Sequence, residues 1–210
     1  MGAAEVVLRS VEAAVPAEAE VGLVERCRQG DPEAFCRLVA VHEGMVFNLA
    51  ARLLGDAEEA RDLSQEVFLQ VYRSLGRFQG RSRLKTWLYR IVVNQCRNRR
   101  RWWRRRFRER ALSLEALTPA DEARLSRATS APGPFEWTRR QEESRRVQRA
   151  LEGLSFEHRV ILLLREVEEL SCEEIGRTLG LPEGTVKSRL SRAREALRQK
   201  LAPEAKGAEA

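Results

Sequence analysis

The sequence predicts an all-α chain of two small helical domains joined by a flexible linker, and three observations predict it. Apolar residues recur at helical spacing through the segments that Gly and Pro leave unbroken. Helix starts and stops follow one another along the chain, with Asp or Ser at Asp31, Asp56, Ser155 and Ser171 and glycine at Gly30, Gly55 and Gly180. From about Arg108 to Glu136, Thr118, Pro119, Ser130, Pro132, Gly133 and Pro134 interrupt any helix longer than a few turns. With 210 residues, 43% hydrophobic and 33% charged, the chain has room for one or two modest cores. The boundaries that follow are a mobile leader over 1–18, a first domain over 19–107, a linker over 108–136, a second domain over 137–202 and a disordered tail over 203–210.

In order, the leader is rich in Ala, Glu and Val and has neither a basic start nor a continuous apolar core, so it resembles no signal peptide or lipidation site. No segment approaches a membrane span, which predicts a chain with no membrane insertion. A short helix from Val21 to Gln29 ends at Gly30. Asp31 and Pro32 restart the chain as an N-cap and a first-turn proline, and Phe35, Leu38, Val39, Val46, Leu49 and Leu53 form the inner stripe of a second helix closed by Gly55. Asp56 opens a third, with Glu59 as its capping-box partner and Ala60, Leu63, Val67, Val71 and Leu75 inside. Its outer face carries Asp56, Glu58, Glu59, Asp62 and Glu66 against a lone Arg61. Carboxylates favour a helix N-terminus only within about one turn. Asp62, Gln65 and Glu66 therefore read as a docking face for a basic partner, with a solvated face as the alternative.

Gly76 breaks the pattern, and Arg77 to Arg83 forms a loop with an aromatic, a flexible Gly80 and three arginines. A long helix follows from about Leu84, with Leu84, Trp87, Leu88, Ile91, Gln95 and Trp102 along one side and Thr86, Arg90, Asn94, Arg97 and Arg101 towards the other. It runs into Arg97 to Arg110, where nine arginines and one glutamate make a local +8. The whole chain sums to +7, so the rest is near neutral. Such a stripe attracts phosphate backbones, and Trp102, Trp103 and Phe107 can stack on bases or pack back on the body. Beyond the linker, Val147, Leu151 and Leu154 resume the helical pattern, and Ser155 caps a helix through Val160 to Val167 whose apolar run predicts deep burial.

The last two helices read as a helix-turn-helix. Ser171 caps the first with Glu174 as capping-box partner, Ile175 and Leu179 share one face, Gly180 supplies the left-handed residue, and Leu181 plugs the turn. Pro182 suits the first position of the second helix, whose buried stripe is Val186, Leu190, Ala193, Leu197 and Leu201. Its opposite face carries Gly184, Thr185, Lys187, Ser188, Ser191 and Arg192, with Arg189 and Arg194 at the flanks. Small and hydroxyl side chains beside cations suit a helix that enters a major groove, where bulk is excluded and phosphates flank the base edges.

Other chemistry has little purchase. Cys27, Cys36, Cys96 and Cys172 are scattered without a CxxC pair and the histidines are His42 and His158, so no zinc site or other cofactor is expected and reduced cytoplasmic thiols fit. No Ser/His/Asp or Cys/His set and no Gly-rich phosphate loop points to an enzyme. A stand-alone helix-turn-helix DNA-binding regulator is the alternative, but it leaves the acidic first domain without a role.

Three motifs, D-L-S-Q-E-V-F from Asp62, K-T-W-L-Y-R-I-V-V-N from Lys85 and G-T-V-K-S-R-L-S-R-A-R-E from Gly184, resemble regions two and four of bacterial ECF-type (extracytoplasmic function) sigma factors. The resemblance runs from about Val21 to Leu201, departing at Ser64, where valine is common, and in the arginine-dense end of the region-two helix. It implies a cytoplasmic subunit that binds RNA polymerase core through the β′ clamp and β subunits, at Asp62, Gln65 and Glu66. It also implies promoter DNA as a partner: a −10 element melted and read by Phe78, Gln79, Gly80, Arg81, Ser82 and Arg83 with Lys85, Arg90, Asn94, Arg97 and Arg101. Thr185, Lys187, Ser188, Arg189, Ser191, Arg192 and Arg194 are then the −35 reading set. An anti-sigma factor is a further implied partner.

Overall fold

Caps set the helix boundaries. The computed structural model describes residues 17–80, 82–112 and 139–202, with side chains over 20–80, 82–106 and 145–202. The leader to residue 16, residues 113–138 of the linker and its surroundings, the tail from 203 and Arg81 lie outside the described residues. The chain divides into two compact units, which among the described residues fall on either side of that gap.

The first unit contains α1 (Ala17–Arg28), α2 (Pro32–Leu54), α3 (Ala57–Ser74), a 3₁₀ turn (Leu75–Arg77) and α4 (Leu84–Leu112). Asp31 caps α2 by accepting from the Glu33 and Ala34 amides at 3.0 and 3.1 Å, and Gly55 closes it in the left-handed region at φ 80°. Asp56 caps α3 in the same way, through the Glu58 and Glu59 amides at 2.8 and 3.0 Å. The Glu59 carboxylate does not complete a capping box, since it pairs with Arg99 instead. α1 begins four residues ahead of Val21, and α4 continues to Leu112, past the start of the stretch read as linker.

α2 packs on α1, α3 and α4, and α3 packs on α4. The core is Leu38, Met45, Val46, Leu49 and Leu53 of α2, Leu63, Val67 and Val71 of α3, and Leu84, Leu88, Tyr89, Val92, Val93 and Cys96 of α4. Burial pushes the Cys96 thiol up to about 12, so it is a neutral filler. Several inward assignments change. Phe35 and Val39 are only half-buried, while Ala34 and His42, one position round the helix, are buried. Trp102 is exposed because α4 has passed the end of its packing partners, whereas Thr86, placed outward by sequence, is buried. Ser64 donates its hydroxyl to the Ala60 carbonyl at 2.6 Å, which satisfies it within α3. By length and composition α2 could cross a membrane, with a mean hydropathy of 1.2 over its most apolar window, contrary to the sequence expectation. Its apolar residues are instead the centre of this unit's core.

The second unit contains α5 (Arg139–Glu152), α6 (Phe156–Leu162), a π-helical turn (Leu163–Val167), α7 (Cys172–Leu179) and α8 (Glu183–Leu201). α8 packs on α5, α6 and α7. Val160, Ile161, Leu162, Leu163 and Leu164 are all buried, as their run predicts, although the helix widens to π geometry at Leu163. Ser171 and Glu174 form the full capping box, and Gly180 sits at φ 68°. Pro182 is the cap of α8 rather than its first residue. Val186, Leu190 and Ala193 are buried, while Leu197 and Leu201 are half-buried as α8 leaves its neighbours. Gly176 matters for the turn. A Cβ at that position would lie 2.7 Å from the Leu181 carbonyl oxygen, so α7 and the turn approach as closely as they do only with glycine there.

Candidate nucleic-acid interface

α8 presents Gly184, Lys187, Ser188, Ser191 and Arg192 exposed, with Thr185 and Arg189 half-buried at the edge of the same face. Its stripe of Val186, Leu190 and Ala193 turns inward, which fixes the opposite side outward. Ser188 donates to the Thr185 carbonyl at 3.0 Å, leaving its oxygen able to accept from outside. Lys187 contacts Glu183 at 2.7 Å, and that hydrogen bond raises its pKa, so it is a cation at any physiological pH. The flanking arginines are held by carboxylates of α6 and the π turn: Arg194 donates to Glu166 at 2.9 Å and Arg189 lies 3.9 Å from Glu157. Arg192 has no hydrogen bond or ion pair among the described residues. Beside this face an open cavity of about 640 Å³ is lined by Arg165, Cys172, Lys187, Ser191, Arg194 and Arg198 among others. Sequence reading missed Arg165 because it follows the apolar run and lies far from α8 in the chain. Its guanidinium donates to the Leu170 carbonyl at 2.9 Å.

In the first unit, Phe78 is half-buried against Trp87, with ring centroids 5.2 Å apart, so the loop is anchored at its aromatic end. Gln79 and Gly80 are exposed, and Gly80 takes φ 67°. Arg83 is exposed and Ser82 half-buried, while Arg81 is outside the described residues. Arg90, Asn94 and Arg101 are exposed along one face of α4, with Arg97 half-buried between them and donating to the Asn94 side-chain oxygen at 3.2 Å. Lys85 does not join this row. It lies about 140° round the helix from Arg90, and its ammonium is 5.8 Å from the Tyr89 ring centroid. Its charge, with that of Arg83, partly offsets the effect of burial on Glu20 of α1, whose pKa burial raises.

On α3, Asp62, Gln65 and Glu66 are exposed, and so are Leu69 at 55% and Tyr72 at 62% further along the same face. Tyr72 packs edge-on to Phe35 of α2 at 5.0 Å. Glu66 has a partner inside the molecule: Arg99 of α4 forks to Glu59 at 2.8 Å and Glu66 at 2.7 Å. The acidity of this face is therefore partly neutralised from within, and Asp62 is the carboxylate of the trio with no partner among the described residues. Leu69 and Tyr72 fall off the inner stripe in the sequence, where periodicity marks a residue as outward but carries no signal of a docking role. Among the described residues no group of His, Cys, Asp and Glu is arranged to hold a metal ion.

The family descriptions "Sigma-70 region 2" and "Sigma-70, region 4" match residues 38–109 and 144–197. The chain is 36% identical over 190 residues to the RNA polymerase sigma-H factor of Pseudomonas aeruginosa, spanning 89% of this chain and 95% of that one. It is 32% identical over 180 residues to the ECF RNA polymerase sigma factor SigW of Bacillus subtilis, spanning 85% and 94%. Among solved structures it is similar to the sigma factor RpoE of Bartonella quintana, determined with the anti-sigma factor NepR, at a TM-score of 0.62 and 25% identity over 81% of this chain and 98% of that one.

Proposed function

The chain belongs to the ECF group of the sigma-70 family and directs RNA polymerase to promoters, and we propose that it does so with three separate faces. α8 enters the major groove of the −35 element, where Lys187, Ser188, Ser191 and Arg192 meet base edges and Arg189 and Arg194 hold phosphates beside Thr185. The loop from Phe78 to Arg83 captures an unstacked base of the melted −10 element, and Arg90, Asn94, Arg97 and Arg101 track the strand behind it, with Lys85 at the mouth of the loop. Asp62, Gln65 and Glu66, extended by Leu69 and Tyr72, meet the polymerase core at the β′ clamp, with further contacts to β. This is work done in the cytoplasm.

The observation that carries the reading is the coexistence, in one chain, of the small-and-basic helix-turn-helix face of the second unit with a first unit whose long helix exposes Arg90, Asn94 and Arg101 in a row. A single DNA-reading face would account for only one of the two. Because the Bartonella RpoE was solved with an anti-sigma factor, we extend the proposal to such a partner here, occupying the α3 face when polymerase does not. The test is specific binding to a promoter fragment with and without core polymerase. Specific retention only in the presence of core supports the assignment; sequence-specific binding by the chain alone would make it a stand-alone regulator.

A further inference from the structure

The loop from Phe78 to Arg83 is anchored at its entry, where the Phe78 amide donates to the Leu75 carbonyl at 3.0 Å and the ring packs on Trp87. At its exit the Arg83 carbonyl accepts the Trp87 amide at 3.2 Å, and between the two ends Gln79 and Gly80 are exposed. α1 bears on both ends. It packs on the 3₁₀ turn that feeds the loop, and its Glu20 carboxylate lies in the field of Arg83 and Lys85, the two cations at the exit.

Glu20 is an unusual residue for that position. Its side chain is 22% exposed, and a carboxylate oxygen lies 3.8 Å from Nε2 of the buried His42 of α2. Burial raises its pKa, and the charges of Arg83 and Lys85 oppose the rise. α1 has no need of a carboxylate there in order to pack, since Val24 already supplies a buried apolar contact. Withdrawing a carboxylate from water is costly unless partners offset the cost. Here the partners come from opposite sides, His42 from the body of the unit and the two cations from the loop exit.

We propose that Glu20 is a positioning residue for −10 recognition: from α1 it draws Arg83 and Lys85 inward, fixes the exit of the loop, and so sets how Gln79 and Gly80 meet an unstacked base. The inference rests on the loop being the −10 reading head. Attraction between partly exposed charges is modest, so the loop is biased towards one arrangement and not locked in it. Glu20 lies on neither α8 nor the α3 face, so −35 choice and core binding do not depend on it.

The test is hydrogen exchange in the full chain at the amides from Gln79 to Lys85, joined to −10 discrimination by reconstituted holoenzyme on matched and mismatched promoters. Glu20→Gln is expected to quicken exchange at the loop about two- to five-fold, the range of a partly exposed charge pair, and to lower −10 discrimination by a similar factor. Glu20→Asp, which keeps the charge, is expected to recover part of both. In a chain already carrying Arg83→Gln and Lys85→Gln, Glu20→Gln is expected to quicken loop exchange no further, because the attraction it removes is gone. Core binding and −35 discrimination stay as in the parent, which checks that the variants are folded. Loop exchange that does not change in Glu20→Gln, or that quickens equally when Arg83 and Lys85 are already replaced, would overturn the proposal. Gln79→Ala, at the exposed tip, keeps it distinct from the −10 assignment. Discrimination lost in Gln79→Ala but intact in Glu20→Gln overturns the role of Glu20 alone, whereas discrimination intact in both overturns it together with the loop as reading head.

Discussion

Glu59 and Glu66 belong to α3, but both carboxylates are tied to Arg99 of α4, so charge reversal at Glu66 would break an internal bridge as well as alter the outer face. Asp62 is the cleaner probe. Asp62→Lys is expected to weaken core binding several-fold while leaving helicity unchanged, because a like charge then faces a basic partner; affinity for core equal to that of the parent at physiological salt would remove Asp62 from the interface. A second residue acts on the fold alone. Gly176→Ala places a methyl group 2.7 Å from the Leu181 carbonyl oxygen, so α7 and the turn must separate. A loss of about 1–3 kcal/mol of unfolding free energy in the second unit is expected, read by thermal or urea denaturation, and a midpoint that does not move would mean the turn yields freely. Single-sequence reading missed both Arg99 and Gly176 for one reason. Their partners lie across a helix interface or a turn, and spacing along one helix reports which face a residue occupies but not what the opposing element brings to it.

Among the elements, those with strong end signals were the most legible: α2 between Asp31 and Gly55, and α7 between Ser171 and Gly180, match their sequence boundaries because each cap satisfies specific backbone groups. Periodicity served less well wherever an element outruns its neighbours. Trp102 on α4 and Leu197 on α8 continue an inward stripe in the sequence, yet among the described residues Trp102 is exposed and Leu197 only half-buried as each helix outruns its neighbours. Within α8, Arg194 is held by Glu166 at the flank while Arg192 stands unpaired among the described residues on the outer face, and the proposed division of roles follows that difference. Arg192→Ala is therefore expected to change which −35 sequences are chosen, at about 1–3 kcal/mol for a bidentate base contact, whereas Arg194→Ala weakens all promoters alike. Transcription from a panel of −35 variants reads the difference. Equal losses by both proteins on matched and mismatched elements would defeat the division.

At the scale of the whole molecule, the proposed reading requires the two units to reach promoter elements about two helical turns apart, or about 70 Å. Residues 113–138 connect α4 to α5, and fully extended they reach about 90 Å. Removing about ten of them between Leu117 and Pro134 leaves about 55 Å by the same rise and is expected to abolish transcription from normally spaced promoters. Normal activity of that deletion on the same templates would show that reach is not limiting. On the proposed function, −10 and −35 preference reside in different units and move separately. The most direct measurement is transcription by reconstituted holoenzyme from hybrid promoters, after the loop from Phe78 to Arg83 is exchanged for that of another ECF sigma factor. The expected result is that −10 preference follows the loop while −35 preference and core binding stay as they were. A swapped protein that keeps its original −10 preference, or that changes its −35 preference instead, would contradict it.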